Sequence, residues 1–79
     1  MKMDIQVLCE KVESNIPTAT TYAVPDRNQI LVTFSNRPDV QIALLTPYYQ
    51  GKLCKGEMSD SDVLELLLSV KRIANFGRA

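Results

Sequence analysis

QILVTFSNRPDVQIALL, Gln29 to Leu45, carries the alternation that decides the fold. Ile30, Val32 and Phe34 fall on one side of an extended run, and Ser35-Asn36-Arg37-Pro38 breaks it. Asp39 to Leu45 then alternates again, with Val40, Ile42 and Leu44 on one side and Gln41, Ala43 and Leu45 on the other. Two strands joined by a tight turn are the simplest reading. Upstream, Thr18 to Val24 is rich in threonine and ends at Pro25-Asp26-Arg27-Asn28, where proline presets the first angle of a turn. That stretch supplies a third strand and makes the sheet a meander.

The flanks have a different period. From Asp4 to Ile16 the apolar residues Ile5, Leu8, Cys9, Val12 and Ile16 recur at the spacing of one helix face, with Asp4 placed to cap the first amides and Pro17 to stop the run. Downstream, Ser59 and Asp62 have the spacing of a capping box, and Met58 and Val63 flank the first turn. Val63, Leu66, Leu67, Val70, Ile73 and Ala74 form an apolar stripe, and Gly77 is the expected stop. Leu64 and Leu68 lie beside that stripe, more apolar surface than one core face requires.

These elements predict one α+β domain over residues 1–79. The order is α-β-β-β-α, with a three-stranded antiparallel meander and two helices on one face. The opposite sheet face is expected to carry Thr21, Ala23, Leu31, Thr33, Gln41, Ala43 and Leu45, a less polar set than a fully solvated face needs. A chain of 79 residues buries only about 60% of its unfolded surface, too little for two cores.

Hydrophobic residues make up 46% and charged residues 23%, which separates the chain from disordered and low-complexity sequences. Nine basic and nine acidic side chains cancel, so no global field draws the protein to nucleic acid. Cys9 and Cys54 are too few for a disulfide framework and lack metal-ligand spacing, and the N-terminal stretch has no signal-peptide core. A cytoplasmic protein outside the membrane is the expectation.

The chain has no histidine, and therefore no imidazole base, Ser-His or Cys-His pair, or histidine-built zinc site. Gly51 and Gly56 are not followed by the Gly-Lys-Ser/Thr ending of a phosphate loop, and the acidic run Glu57 to Asp62 lacks the spacing of a calcium loop. The reading is a non-enzymatic protein with no cofactor.

TPYYQGKLCKGE, Thr46 to Glu57, follows neither period and reads as an irregular loop. Tyr48, Tyr49 and Leu53, rimmed by Lys52 and Lys55, have the composition of a protein-binding surface. The alternative is a strap in which Tyr48 and Leu53 pack on the sheet edge and Gln50-Gly51 make a small turn. In an extended segment one tyrosine would point inward and the other outward. Cys54, between Leu53 and Lys55, is a candidate exposed thiol.

The element order resembles that of double-stranded RNA-binding domains. The resemblance implies a helix that begins with phosphate-contacting lysines and a first hairpin that reaches into the minor groove. Here the corresponding helix begins Ser59-Asp60-Ser61-Asp62 and the hairpin offers only Arg27, so the likeness is one of element order. Three functions follow as expectations: a small protein-binding module of the inhibitor or accessory type carried by phages and mobile elements, acting by occupying a surface of a host macromolecule; a nucleic-acid-binding accessory using the tyrosines with Lys52, Lys55 and Arg37; and a homo-oligomer joined either through Leu64 and Leu68 or through the semi-apolar second sheet face.

Overall fold

The computed structural model describes residues 4–75. Helix α1 (Ile5–Asn15) leads into a three-stranded antiparallel sheet of order β1-β2-β3, made of β1 (Ala19–Val24), β2 (Gln29–Phe34) and β3 (Arg37–Ala43). Helices α2 (Pro47–Lys55) and α3 (Asp60–Asn75) follow and complete the described residues. The α+β class and the meander stand as expected, with one helix added. The expected stop at Gly77 lies outside the described residues.

α1 starts where Asp4 accepts a hydrogen bond from the Val7 N–H at 2.9 Å, and it ends at Ile16, the residue before Pro17. Its inward face buries Leu8, Cys9, Val12 and Ile16 against the central strand, where Ile30, Val32 and Phe34 are all buried. α3 adds Val63, Leu66, Leu67, Val70 and Ala74 to the same core.

The pairing register corrects the expected outer face. Thr21 lies opposite Val32 and Ala23 opposite Ile30, so both point to the helix side, and Thr20, Tyr22 and Val24 point outward. The larger apolar residues of β1, Tyr22 and Val24, lie on the outward side, so apolar size does not mark its core face. Its position is held from outside, where the Glu13 carboxylate of α1 accepts from the Thr21 N–H at 2.8 Å and the Thr21 hydroxyl at 2.6 Å. Those bonds also occupy a donor on the β1 edge that would otherwise be open to another strand.

Leu45 is likewise moved from the outer face into the core. β3 ends at Ala43, and the Gln29 side chain then acts as a short strand: its Oε1 accepts from the Leu45 N–H at 2.7 Å and its Nε2 donates to the Leu45 carbonyl at 2.8 Å. The chain turns there, and both Leu44 and Leu45 are buried. At the other end β3 begins earlier than expected, at Arg37, and its register against β2 shifts between Thr33 and Phe34. Pro38 is tolerated because β3 is an edge strand.

The third correction is the largest: Thr46 to Glu57 is not an irregular loop. Pro47 opens α2 at its first position, and Gly56 closes it in the left-handed region at φ 71°. The Gly56 N–H reaches the Leu53 carbonyl and the Glu57 N–H reaches the Lys52 carbonyl, the paired bonds of a Schellman ending. Gly51 sits inside this helix with open space where a Cβ would point. Gly51→Ala is therefore expected to stabilise the protein by about 0.5–1 kcal/mol, read as a higher urea midpoint. Destabilisation by the same change would mean that α2 is not helical in solution.

Candidate functional site

α2 is wedged between the first hairpin and α3. On the hairpin side, Asn28 adopts a left-handed conformation at φ 50° and donates its amide to the Gln50 carbonyl at 3.0 Å, and the Gln50 side chain donates to the Arg27 and Asn28 carbonyls at 3.1 Å each. Toward α3, the Tyr49 hydroxyl donates to Glu65 Oε2 at 2.8 Å and Lys52 Nζ meets Asp62 Oδ2 at 3.0 Å. These bonds orient the helix so that Leu53 enters the core and Tyr48 and Lys55 face solvent.

The expected contact set is thus divided. Leu53 is a core residue, only 6% exposed, and adds little to the outer face of α2. Tyr49 is half-buried against the core, and its hydroxyl is bound to the Glu65 carboxylate, which favours the protonated phenol and raises its pKa above the ordinary 10.0. Tyr48 is 63% exposed. Because α2 is helical, adjacent tyrosines diverge by about 100° rather than 180°, so their rings still touch. The centroids are 5.1 Å apart and the planes cross at 72°, an edge-to-face contact.

Lys52 completes the arrangement one turn further on. Its ammonium lies 5.1 Å from the Tyr48 ring centroid and is held by Asp62. The bond to Asp62, followed by the approach to Tyr48, raises its pKa to about 12. Asp62 is shared with the start of α3: its Oδ2 accepts from the Ser59 N–H and hydroxyl, each at 3.0 Å, and its own N–H donates to Ser59 Oγ at 3.2 Å. The expected capping box is present, with aspartate in place of the usual glutamate. The backbone bond from Ser59, then that from Lys52, lowers the Asp62 pKa. Tyr48, Lys52 and Lys55 follow one another at i, i+4 and i+7, an aromatic and basic stripe along the outer face of α2.

Leu64 and Leu68 belong to a different surface. Both are exposed, at 57% and 50%, on the solvent side of the Asp62/Glu65 row that meets α2. Cys54 is exposed as expected and accepts a hydrogen bond from the Asn28 amide at 3.3 Å. It lines a shallow groove with Leu53, Asn28, Ala23 and Ile5. Arg37, considered for nucleic acid, instead donates to the Ile73 carbonyl at 3.0 Å. One exposed aromatic was missed: Tyr22, on the outer sheet face beside Leu31 and, across the next strand, Ala43. Its alternation with Val24 was the available signal.

No described helix is long and apolar enough to cross a membrane, and no group of three His, Cys, Asp or Glu side chains among the described residues is arranged to hold a metal ion. No protein-family model matches the chain, and no curated protein or solved structure shows significant similarity to it. The fold and the site define a small α+β protein whose most developed polar and aromatic arrangement is an outer helix face.

Proposed function

We propose that the protein acts by binding another protein through the outer face of α2, with Tyr48 at the centre and Lys52 and Lys55 at the margin, and that it performs no catalysis. In this reading it is an inhibitor or accessory that works by covering a surface of its target. The observation that carries it is the support around Tyr48: an exposed ring in edge-to-face contact with Tyr49 and capped by an ammonium that Asp62 holds. An aromatic side chain already ordered in the free protein loses little conformational entropy on binding and offers a large contact area. Single-stranded nucleic acid could use the same stripe by stacking on Tyr48. The Asp62 carboxylate beside Lys52 weakens that reading, because it neutralises the cation a phosphate would need.

The test is affinity capture from extract of cells that make the protein, with nuclease present, followed by titration of the recovered protein. Tyr48→Ala is expected to weaken binding at least about tenfold, and Tyr48→Phe to retain it, since the ring and not the hydroxyl makes the contact. Binding indifferent to Tyr48→Ala would refute the proposal. Capture that disappears with nuclease and falls steeply with salt would assign the stripe to nucleic acid.

A further inference from the structure

The outer face of α3 has an order that the Tyr48 surface does not explain. Asp60, Leu64, Leu68, Lys71 and Asn75 follow one another at i, i+4, i+8, i+11 and i+15, a single line along the helix, with Arg72 beside its basic end. All six residues are exposed. Neither leucine contributes to the core, and Asp60, Lys71 and Arg72 make no ion pair among the described residues. The line is apolar in the middle, acidic at its start and basic at its end.

Such a surface is complementary to itself when reversed. We propose that α3 is the seam of a homodimer, packed against α3 of a second copy in antiparallel orientation about a twofold axis passing between Leu64 and Leu68. Leu64 then meets Leu68 of the second copy, and Asp60 meets Lys71, the basic residue on its own line, with Arg72 beside it. The axis repeats each contact, as an isologous interface requires. A parallel arrangement would set Asp60 against Asp60 and Lys71 against Lys71, so the charges select the antiparallel one. The zero net charge leaves no overall repulsion to oppose association.

A single helix pair covers less than the roughly 1,200–2,000 Å² of a stable interface, so the dimer is weak and forms only from about tens of micromolar upward. The seam uses neither Tyr48 nor Lys52, and it stands or falls separately from the binding proposal.

Sedimentation equilibrium over about 1 to 500 µM reads it directly. The mass is expected to rise from the 8.9 kDa monomer toward the dimer, and Leu68→Glu to hold it at the monomer. Circular dichroism establishes that the variant is folded. Charge exchange supplies a second, independent reading. Asp60→Lys alone, or Lys71→Glu with Arg72→Glu, should each abolish self-association by placing like charges across the seam. An equimolar mixture of the two variants should form a heterodimer, because both ends are then complementary again. A mass fixed at the monomer throughout overturns the proposal. So does a dimer that survives Leu68→Glu, which would place the contact elsewhere, for example on the outer sheet face around Tyr22, and so does failure of the mixed variants to associate.

Discussion

Leu8→Ala is expected to lower the free energy of unfolding by about 2–5 kcal/mol, whereas Leu64→Ala should change it by less than about 0.5 kcal/mol. Both are leucines on amphipathic helices, but Leu8 falls on the apolar face of its helix and Leu64 beside the apolar stripe of its own. Leu8 is 1% exposed and lies within the core that α1, the sheet and α3 share, so truncation removes its transfer energy and leaves a cavity that close-packed neighbours cannot fill. Leu64 projects into water, and alanine is the better helix former at such a site. In a chain of 79 residues the total stability is about 4–12 kcal/mol, so Leu8→Ala would consume much of it and leave a measurable unfolded fraction. Urea titrations of both variants at one temperature make the comparison. Equal losses would show that Leu64 is buried in solution, as it would be in a dimer at the working concentration, and repeating the titration at low concentration separates the two cases.

The contrast between these leucines marks where the sequence is legible. β2 announces itself because Ile30, Val32 and Phe34 fall on one side of an extended run, and all three are buried. α1 and α3 carry both a periodic apolar stripe and their own caps at Asp4 and Ser59, so local and global preferences agree. α2 has neither advantage. It is nine residues long, contains Tyr-Tyr, Cys and an internal Gly51, and keeps one fully buried side chain, Leu53. Its helix depends on partners distant in sequence: the hairpin carbonyls for Gln50, Glu65 for Tyr49 and Asp62 for Lys52. Only Pro47 and Gly56, placed as helix start and stop, gave a local sign. β1 failed for a related reason, since Thr20-Thr21 reads the same in either register and the choice is made by Glu13 on another element. In the candidate site, composition pointed to the stretch but could not separate Tyr48 from Tyr49. Which one faces solvent depends on the rotation of α2, and that is set by the same distant bonds.

Asp62 is where those distant bonds meet the local ones, and its removal is the second large effect expected. Ser59→Ala deletes one half of the capping box and should cost about 1 kcal/mol. Asp62→Ala should lower the melting temperature further than Ser59→Ala at pH 7, because it strips the Ser59 N–H of its acceptor and Lys52 of its counter-ion in one step. The pH dependence follows from the direction of each shift. The Asp62 pKa is lowered from its ordinary 3.8 by Ser59 and Lys52, so its contribution is present above that value and is lost as pH falls through the lower folded one. The Lys52 and Tyr49 pKa values are raised, Lys52 from 10.5 to about 12, so their contributions hold below their ordinary values and fade as pH climbs through the folded ones. With no histidine to titrate between them, stability should be nearly level from about pH 5 to 8 and fall on both sides. Asp62→Asn should make the acid limb shallower and leave the share of Glu13, whose pKa is likewise lowered by its hydrogen bonds to Thr21. The functional consequence travels through Lys52. Freed from Asp62, its ammonium no longer has a fixed seat over the Tyr48 ring, so partner binding should weaken in Asp62→Ala although Tyr48 itself is intact. A variant that melts like the wild type at pH 7 and keeps the full acid limb would show that neither the box nor the ion pair holds α2 to α3, and the ordered support proposed around Tyr48 would fall with them.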